Sequence, residues 1–295
     1  MVLVHNENTE VATALMKRLI REGRKDIAAW TDRCPPWAEV EHVHRYGLFA
    51  MKAGCRIYAL HISTADGLAA CAEMKAKGCP LVVETCPQYL LMTTDDPAGL
   101  LLKVNLPIRD AAHNRALWTG VADGRVECVG SDHVVTNFEE KMVRGDTGDR
   151  EGDPVDGVWA AGSGFIGMGL LLPLLLSEGV HGGRISIGRV VEICCRNPAV
   201  HFGLYPKKGI IQVGSDVVLD MDKTVTLAPE HLNSFADFSI YEGREIKGWP
   251  WMTISRGTVV FEGDTITGKR GHGRYLPRKP GSLRYPPEES WDLPE

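Results

Sequence analysis

The sequence predicts an α/β protein in which a set of βα units is followed by a smaller β module. Up to residue 207, short apolar runs alternate with amphipathic stretches of helical period. This alternation is typical of βα units around a parallel sheet. From residue 214 onward, the chain changes to short β-type runs separated by turns. The change in pattern predicts a second, β-rich region.

Four apolar runs are the predicted parallel strands. Pro35 and Pro36 mark a helix entry, and Gly78 and Gly124 follow predicted helices as C-terminal stops. A closed (β/α)8 barrel needs eight strands, so four βα units predict half of a barrel. The predicted strands are 1–5, 56–62, 81–84 and 126–130, and the predicted helices among them are 9–22, 36–53, 64–77 and 110–124.

The remaining chain is predicted as two further helices, at 164–178 and 186–202, and then three β runs, at 216–220, 224–227 and 252–262. The predicted domains are a partial barrel at 1–207, a partial β-sandwich at 208–276 and a C-terminal tail at 277–295. The tail is rich in proline and charge, which is typical of an arm or a disordered end.

Composition indicates an ordinary enzyme-sized protein. The 295 residues are 44% hydrophobic and 24% charged, with a net charge of -5. This balance predicts neither a nucleic-acid partner nor a membrane partner. The eight cysteines show no C-x-x-C spacing and the first residues show no signal-peptide pattern. Free thiols in the reducing cytoplasm are therefore expected.

Three polar residues stand at the ends of predicted strands. His5, His61 and Asp132 each follow an apolar run, where parallel α/β folds gather functional groups. Imidazoles with a carboxylate suit zinc or a similar divalent ion. The alternative is that each histidine is a hydrogen-bonded core or loop residue, and spacing alone does not join the three into one site.

The residues around these three positions resemble the cyclic amidohydrolases, in the hydantoinase and dihydropyrimidinase branch. Residues 4–8 resemble the V-H-x-E-N of the family's fifth barrel strand, and residues 60–64 its sixth-strand H-x-S-T. Residues 84–90 are similar to the seventh-strand signature E-T-C-P-Q-Y-L, in which Gln88-Tyr89 favours this branch. Ser131-Asp132-His133 resembles the eighth-strand motif. The resemblance continues through 197–209 and 214–220, where such chains return to a β-sandwich.

The resemblance implies the C-terminal half of a (β/α)8 barrel followed by part of a β-sandwich. It implies a binuclear zinc centre, with His5 and His61 on one ion and Asp132 on the other as base and acid. Water would open a small cyclic amide or ureide of the dihydropyrimidine or hydantoin type, giving an N-carbamoyl amino acid. Relatives in this branch are typically homotetramers. Asn105 stands where such proteins often use serine to hold the ring amide, and Ser163 stands where asparagine is frequent, so the resemblance leaves the ring specificity open. Glu7, Glu84 and His133 are expected to support the ligands by hydrogen bonds.

The family's first-strand H-x-H pair and its carboxylated lysine are not found in this sequence. We therefore expect the chain to be a C-terminal portion that binds metal weakly and has little hydrolase activity alone. Two alternatives stay open. The chain could be a non-catalytic scaffold on the dihydropyrimidinase fold, or it could pair with a separate chain that carries the opening half. The substrate ring, its enantiomer and the metal are not determined by the sequence.

Overall fold

The computed structural model describes residues 1–143, 156–211 and 215–278. Of the predicted tail, residues 279–295 lie outside the described residues. The chain forms two compact units. The first contains Met1–Gly169 and Ala228–Glu242, and the second contains Leu170–Leu227 and Gly243–Glu295. The domain division proposed from the sequence, at 207 and 276, stays a prediction.

A four-stranded parallel sheet organises the first unit. Its strands are β1 (Val2–Val4), β2 (Ile57–Ala59), β3 (Leu81–Thr85) and β4 (Cys128–Val129), paired in the order β1-β2-β3-β4. All three pairings are parallel. The carboxyl ends of the four strands therefore meet at one edge of the sheet, as the sequence predicted.

Helices follow the strands in the first unit, and local signals set their ends. The Asn8 side chain accepts a hydrogen bond from Val11 N at 3.0 Å and starts α1. Thr64 starts α4 in the same way, accepting from Gly67 N at 2.8 Å. Gly54, with φ +62°, ends α3 in the left-handed conformation that favours glycine. The α-helices of this unit are α1 (Thr9–Arg21), α2 (Ile27–Asp32), α3 (Pro36–Ala53), α4 (Ala65–Ala76), α5 (Pro87–Leu91), α6 (Ala111–Asp123) and α7 (Phe138–Val143).

The core of the first unit contains a tryptophan pair. Trp30 and Trp159 are both 3% exposed, with ring centroids 5.9 Å apart, and Leu19 packs with them. Trp30 Nε1 donates to Val104 O at 2.9 Å, so the buried indole keeps a partner for its polar group. Truncating such a side chain to alanine costs about 3–5 kcal/mol.

The second unit contains an antiparallel sheet and a series of short helical segments. Its strands are β5 (Ser215–Thr226), β6 (Glu245–Ser255), β7 (Thr258–Glu262) and β8 (Thr265–Ile266), in the order β5-β6-β7-β8. Its helical segments are α8 (Leu171–Leu174), a π-helix at Leu175–His181, α9 (Ile187–Val191), a π-helix at Glu192–Arg196 and α10 (Asn197–His201).

Two boundaries in this unit differ from the sequence prediction. The run predicted at 252–262 is a hairpin, because Arg256 and Gly257 have φ +51° and +75° and turn the chain between β6 and β7. The runs predicted at 216–220 and 224–227 are joined in β5, with a register shift between Asp220 and Thr224. Such irregularities are set by cross-strand pairing, which local periodicity does not encode. In the described ranges, no helix is long and apolar enough to cross a membrane.

Candidate active site

The three predicted site residues lie beyond the carboxyl ends of three parallel strands. His5 directly follows β1, His61 follows β2 and Asp132 follows β4. His61 has φ +40° and Asp132 has φ +46°. Residues other than glycine adopt this left-handed region rarely, and examples concentrate at functional sites. The left-handed backbone at both positions therefore sets the direction in which the His61 and Asp132 side chains leave the chain.

The two imidazoles face each other directly. His5 Nδ1 lies 2.9 Å from His61 Nε2, and the rings meet edge to face with centroids 4.7 Å apart. The His61 residue is 5% exposed, whereas 43% of the His5 side chain is accessible. Burial, helped by the neighbouring His5, lowers the pKa of His61 to about 3. His61 is therefore a neutral imidazole at physiological pH, the form that binds metal ions.

Glu7 sets the tautomer of His5. A carboxylate can only accept, so the 3.1 Å contact between His5 Nε2 and Glu7 Oε2 places the proton on Nε2. The His5 Nδ1 atom then carries a lone pair directed toward His61. Burial alone would raise the pKa of Glu7, but the hydrogen bond from His5 and the charge of Arg33 outweigh it, and the pKa is lowered. The Glu7 side chain thus orients a candidate ligand, as a carboxylate commonly does.

Glu84 lies below the histidine pair. Tyr58 Oη donates to Glu84 Oε2 at 2.7 Å, and the His61 backbone N–H donates to Oε1 at 3.4 Å. Burial raises the pKa of Glu84 to about 7, with the charge of Asp132 acting in the same direction. Glu84 therefore holds the backbone turn at His61 by a hydrogen bond, which is the role expected for this residue from the sequence motif.

Asp132 belongs to the same electrostatic environment. Burial raises the pKa of Asp132, and the proximity of His5 partly opposes that effect. The next residue, His133, accepts from the backbone N–H groups of Gly167 and Met168 at 3.3 Å each through Nδ1. These bonds tie the loop that carries Asp132 to the segment that follows Ser163.

The described side chains fit a metal ion as part of a ligand set. Two nitrogen ligands each about 2.0–2.1 Å from one zinc ion lie roughly 2.9–3.4 Å apart for ligand–metal–ligand angles of about 90–110°. The 2.9 Å separation of His5 Nδ1 and His61 Nε2 falls at the lower end of that range. Across 1–143, 156–211 and 215–278, however, no three His, Cys, Asp or Glu side chains form a group that could hold a metal.

The predicted ring-binding residues lie together, with an arginine that the sequence reasoning missed. Ser163 Oγ is 3.4 Å from Asn105 Oδ1, and Arg33 Nη2 donates to the same oxygen at 2.9 Å. Arg33 Nη2 also lies 2.7 Å from Glu7 Oε1 as an ion pair. Arg33 thus joins the ring-binding pair to the histidine pair. Its signal in the sequence is weak, because it stands alone between α2 and α3.

A second missed residue is Glu39, which is 0% exposed on α3. Its carboxyl accepts from Ser63 N at 2.8 Å and from the hydroxyl of Thr64. Because Ser63 and Thr64 follow His61, this buried carboxyl holds the turn that carries a candidate ligand. A glutamate on the otherwise apolar face of α3, beside Ala38, His42 and Val43, was the signal that could have revealed it.

Comparison with known proteins gives a consistent set of relatives. No model of a protein family matches the chain. An L-hydantoinase from Paenarthrobacter aurescens is 36% identical over 283 residues, which cover 94% of this chain and 60% of that protein. An allantoinase from Solibacter usitatus is 34% identical over 92% of this chain and 57% of its own length. The crystal structure of a dihydropyrimidinase from Brevibacillus agri superposes with a TM-score of 0.84 at 32% identity, covering 97% of this chain and 61% of that one.

These comparisons agree with the fold prediction. The chain spans about 60% of the length of the relatives that it matches. The expected architecture, half of a (β/α)8 barrel followed by part of a β-sandwich, is confirmed by this similarity together with the parallel and antiparallel sheets. The roles of the individual site residues stay predictions.

Proposed function

This chain belongs to the cyclic amidohydrolases of the hydantoinase and dihydropyrimidinase type, and on that premise we propose that it forms part of a metal-dependent enzyme. The proposed reaction is hydrolysis of a C–N amide bond in a small cyclic amide or ureide. Dihydropyrimidine or hydantoin rings are the proposed substrates, and N-carbamoyl amino acids are the products.

One observation carries this proposal: two imidazole nitrogens, on His5 and His61, face each other at 2.9 Å beyond adjacent parallel strands. Two imidazole nitrogens that converge on one point are ligands that suit zinc. A zinc ion held by these two nitrogens, with Asp132 at the same edge of the sheet, is therefore the proposed site.

The proposed chemistry divides between the ion and the side chains. When bound, a divalent ion would polarise the ring carbonyl and acidify the attacking water. Asp132 takes a proton from that water as its oxygen bonds to the carbonyl carbon. The C–N bond then breaks, and Asp132 passes the proton to the departing ring nitrogen. Asn105 and Ser163 orient the ring.

The proposed ligand set needs completion from outside this sequence. A structural or catalytic zinc site uses at least three protein ligands, and the described residues do not present three in one group. The further ligands would come from another part of the same protein or from a separate chain. We therefore expect weak metal binding and little hydrolysis by the 295 residues alone. We propose that the protein acts as a homo-oligomer in the cytoplasm.

Zinc titration of the chain and two variants tests the metal site. His61→Ala should lower zinc affinity at least tenfold, because it removes one of two facing ligands. His44→Ala is the matched control, since His44 is 39% exposed on α3 and pairs with Glu73. Its affinity should stay within about twofold of the unmodified chain. Equal zinc affinity in His61→Ala and His44→Ala would contradict the proposal.

An activity assay tests the reaction. Ring opening of dihydrouracil and hydantoin is measured with zinc, for the 295-residue chain and for the protein made from its whole coding region. Hydrolysis by the latter, lost in Asp132→Asn, is the expected result. Zinc-loaded protein that opens neither ring contradicts the assigned reaction.

A non-catalytic scaffold on the same fold is the second candidate. The observation in its favour is that the described ranges contain no group of three possible metal ligands. Metal analysis of the protein made from the whole coding region separates the two candidates. A scaffold carries no zinc, whereas the enzyme carries it in stoichiometric amounts.

A further inference from the structure

The Arg33 guanidinium connects the two halves of the candidate site. The Arg33 side chain is 8% exposed and lies over the Trp30 ring, 3.7 Å from its centroid. Its Nη2 atom is 2.7 Å from Glu7 Oε1 and 2.9 Å from Asn105 Oδ1. One nitrogen thus touches both the carboxylate that orients His5 and the side chain expected to hold the substrate ring.

The chemistry of this contact determines which way the Asn105 amide faces. An arginine side chain has donors and no acceptor, so the Asn105 atom beside it must be the oxygen. The hydroxyl of Ser163 lies 3.4 Å from the same oxygen. Both lone pairs of Asn105 Oδ1 therefore face donors. Among the described residues, Asn105 Nδ2 has no hydrogen-bond partner.

We propose that Arg33 is a specificity-determining residue, which holds the Asn105 oxygen and thereby leaves only the Nδ2 donors for the ligand. This inference rests on the proposed function, in which Asn105 faces the ring. Asn105 then donates from Nδ2 to a hydrogen-bond acceptor of the ligand, a ring carbonyl. It cannot accept a hydrogen bond from a ring N–H, because its oxygen is already held by Arg33. A serine at this position could do either, because a hydroxyl both donates and accepts.

The orientation is enforced by charge. Turning the Asn105 amide over would place its N–H2 group against the guanidinium and remove a charge-assisted hydrogen bond. Arg33 cannot move away to relieve this conflict, because Glu7 and the Trp30 ring hold it. Recognition of the ring and the tautomer of His5 consequently depend on the same guanidinium.

Asn105→Asp tests the proposal without breaking the Arg33 contact. The carboxylate keeps an oxygen beside Arg33 and removes both Nδ2 donors. We expect the dissociation constant for dihydrouracil, measured by calorimetry at saturating zinc on the protein made from its whole coding region, to rise at least tenfold, since the ring carbonyl then meets a carboxylate. Asn137→Asp is the control: Asn137 Oδ1 accepts from Glu140 N at 2.8 Å, and aspartate keeps that cap.

Arg33 variants and amide signals complete the test. Arg33→Met should weaken dihydrouracil binding several-fold, and Arg33→Lys, also a donor-only side chain, should recover most of it. The Asn105 side-chain NH2 signals, identified by their loss in Asn105→Asp, should shift when dihydrouracil is added. In the protein made from the whole coding region, equal binding by Asn105→Asp and the unmodified form overturns this inference and leaves the proposed function standing. No ring binding by the unmodified form of that protein overturns the proposed function, and the inference with it.

Discussion

Replacing Glu39 with alanine should be among the most destabilising single changes in the first unit. Glu39 is 0% exposed, and its carboxyl accepts from Ser63 N at 2.8 Å, from Ser63 Oγ at 3.4 Å and from the Thr64 hydroxyl. Arg109 Nε donates to the same Ser63 hydroxyl at 3.3 Å. Alanine removes every one of these acceptors while the donors stay buried.

The expected loss follows from two opposing effects. Each buried donor left without a partner costs about 1–3 kcal/mol. Burial raises the pKa of Glu39, so desolvation of the carboxyl already offsets part of the stabilisation that its hydrogen bonds supply. We expect Glu39→Ala to lower the free energy of unfolding by about 3 kcal/mol. Glu39→Gln keeps the shape and one acceptor, and should cost about 1 kcal/mol.

Urea unfolding followed by far-UV circular dichroism measures these losses. Glu41→Ala is the control on the same helix, because 41% of the Glu41 side chain is exposed and it pairs with Arg45 at 2.7 Å. Such an exposed pair contributes less than about 1 kcal/mol. If Glu39→Ala cost no more than Glu41→Ala, the argument that the buried carboxyl holds the turn after His61 would be wrong.

Three further substitutions, at Glu7, His113 and Lys141, are predicted from other contacts of the first unit. Glu7→Gln should weaken zinc binding about 10- to 100-fold in a chelator competition, since it loosens the orientation of His5, while the exposed Glu10→Gln leaves affinity unchanged. Burial lowers the pKa of His113, whose Nδ1 accepts from Ala65 N at 3.0 Å. Because the unfolded chain then takes up the proton more readily, stability should fall as the pH drops from about 7.5 to 5.5. This fall, measured by urea unfolding, should be smaller in His113→Asn. Lys141→Met leaves the Gly164 carbonyl without its donor, whereas the Lys103 carbonyl keeps the Gly164 N–H. The substitution should cost about 2 kcal/mol in thermal unfolding; no loss would contradict the role of Lys141.

The strand-end positions could be predicted from the sequence because their signals are local. A polar residue within a few positions of the end of an apolar run lies at a sheet edge, and His5, His61 and Asp132 each meet this condition. Hydrophobic period and helix stop signals likewise predicted most helices of the first unit. The short helices α2, α5 and α7 were missed because one or two turns carry too little periodicity to detect.

The supporting contacts could not be predicted, because each joins residues far apart along the chain. Arg33 and Asn105 are 72 positions apart, and Ser63 and Glu39 are 24 apart. Whether such side chains meet depends on how the loops pack over the sheet. The residues next to each of them in the sequence carry no signal of that packing. A glutamate on a mostly apolar helix face was the sequence signal for Glu39. No sequence pattern indicated which residues it would contact.

The sequence by itself predicted the class of fold and the edge of the sheet where function gathers, since these depend on short-range patterns of polarity. The candidate ligands came from the resemblance of the surrounding motifs to the cyclic amidohydrolases. Only the tertiary structure decided that His5 and His61 face each other at 2.9 Å. It also decided that one arginine contacts both Glu7 and Asn105. Hydrogen-bond direction and ring tautomer are properties of atoms a few ångströms apart, and folding alone brings those atoms together.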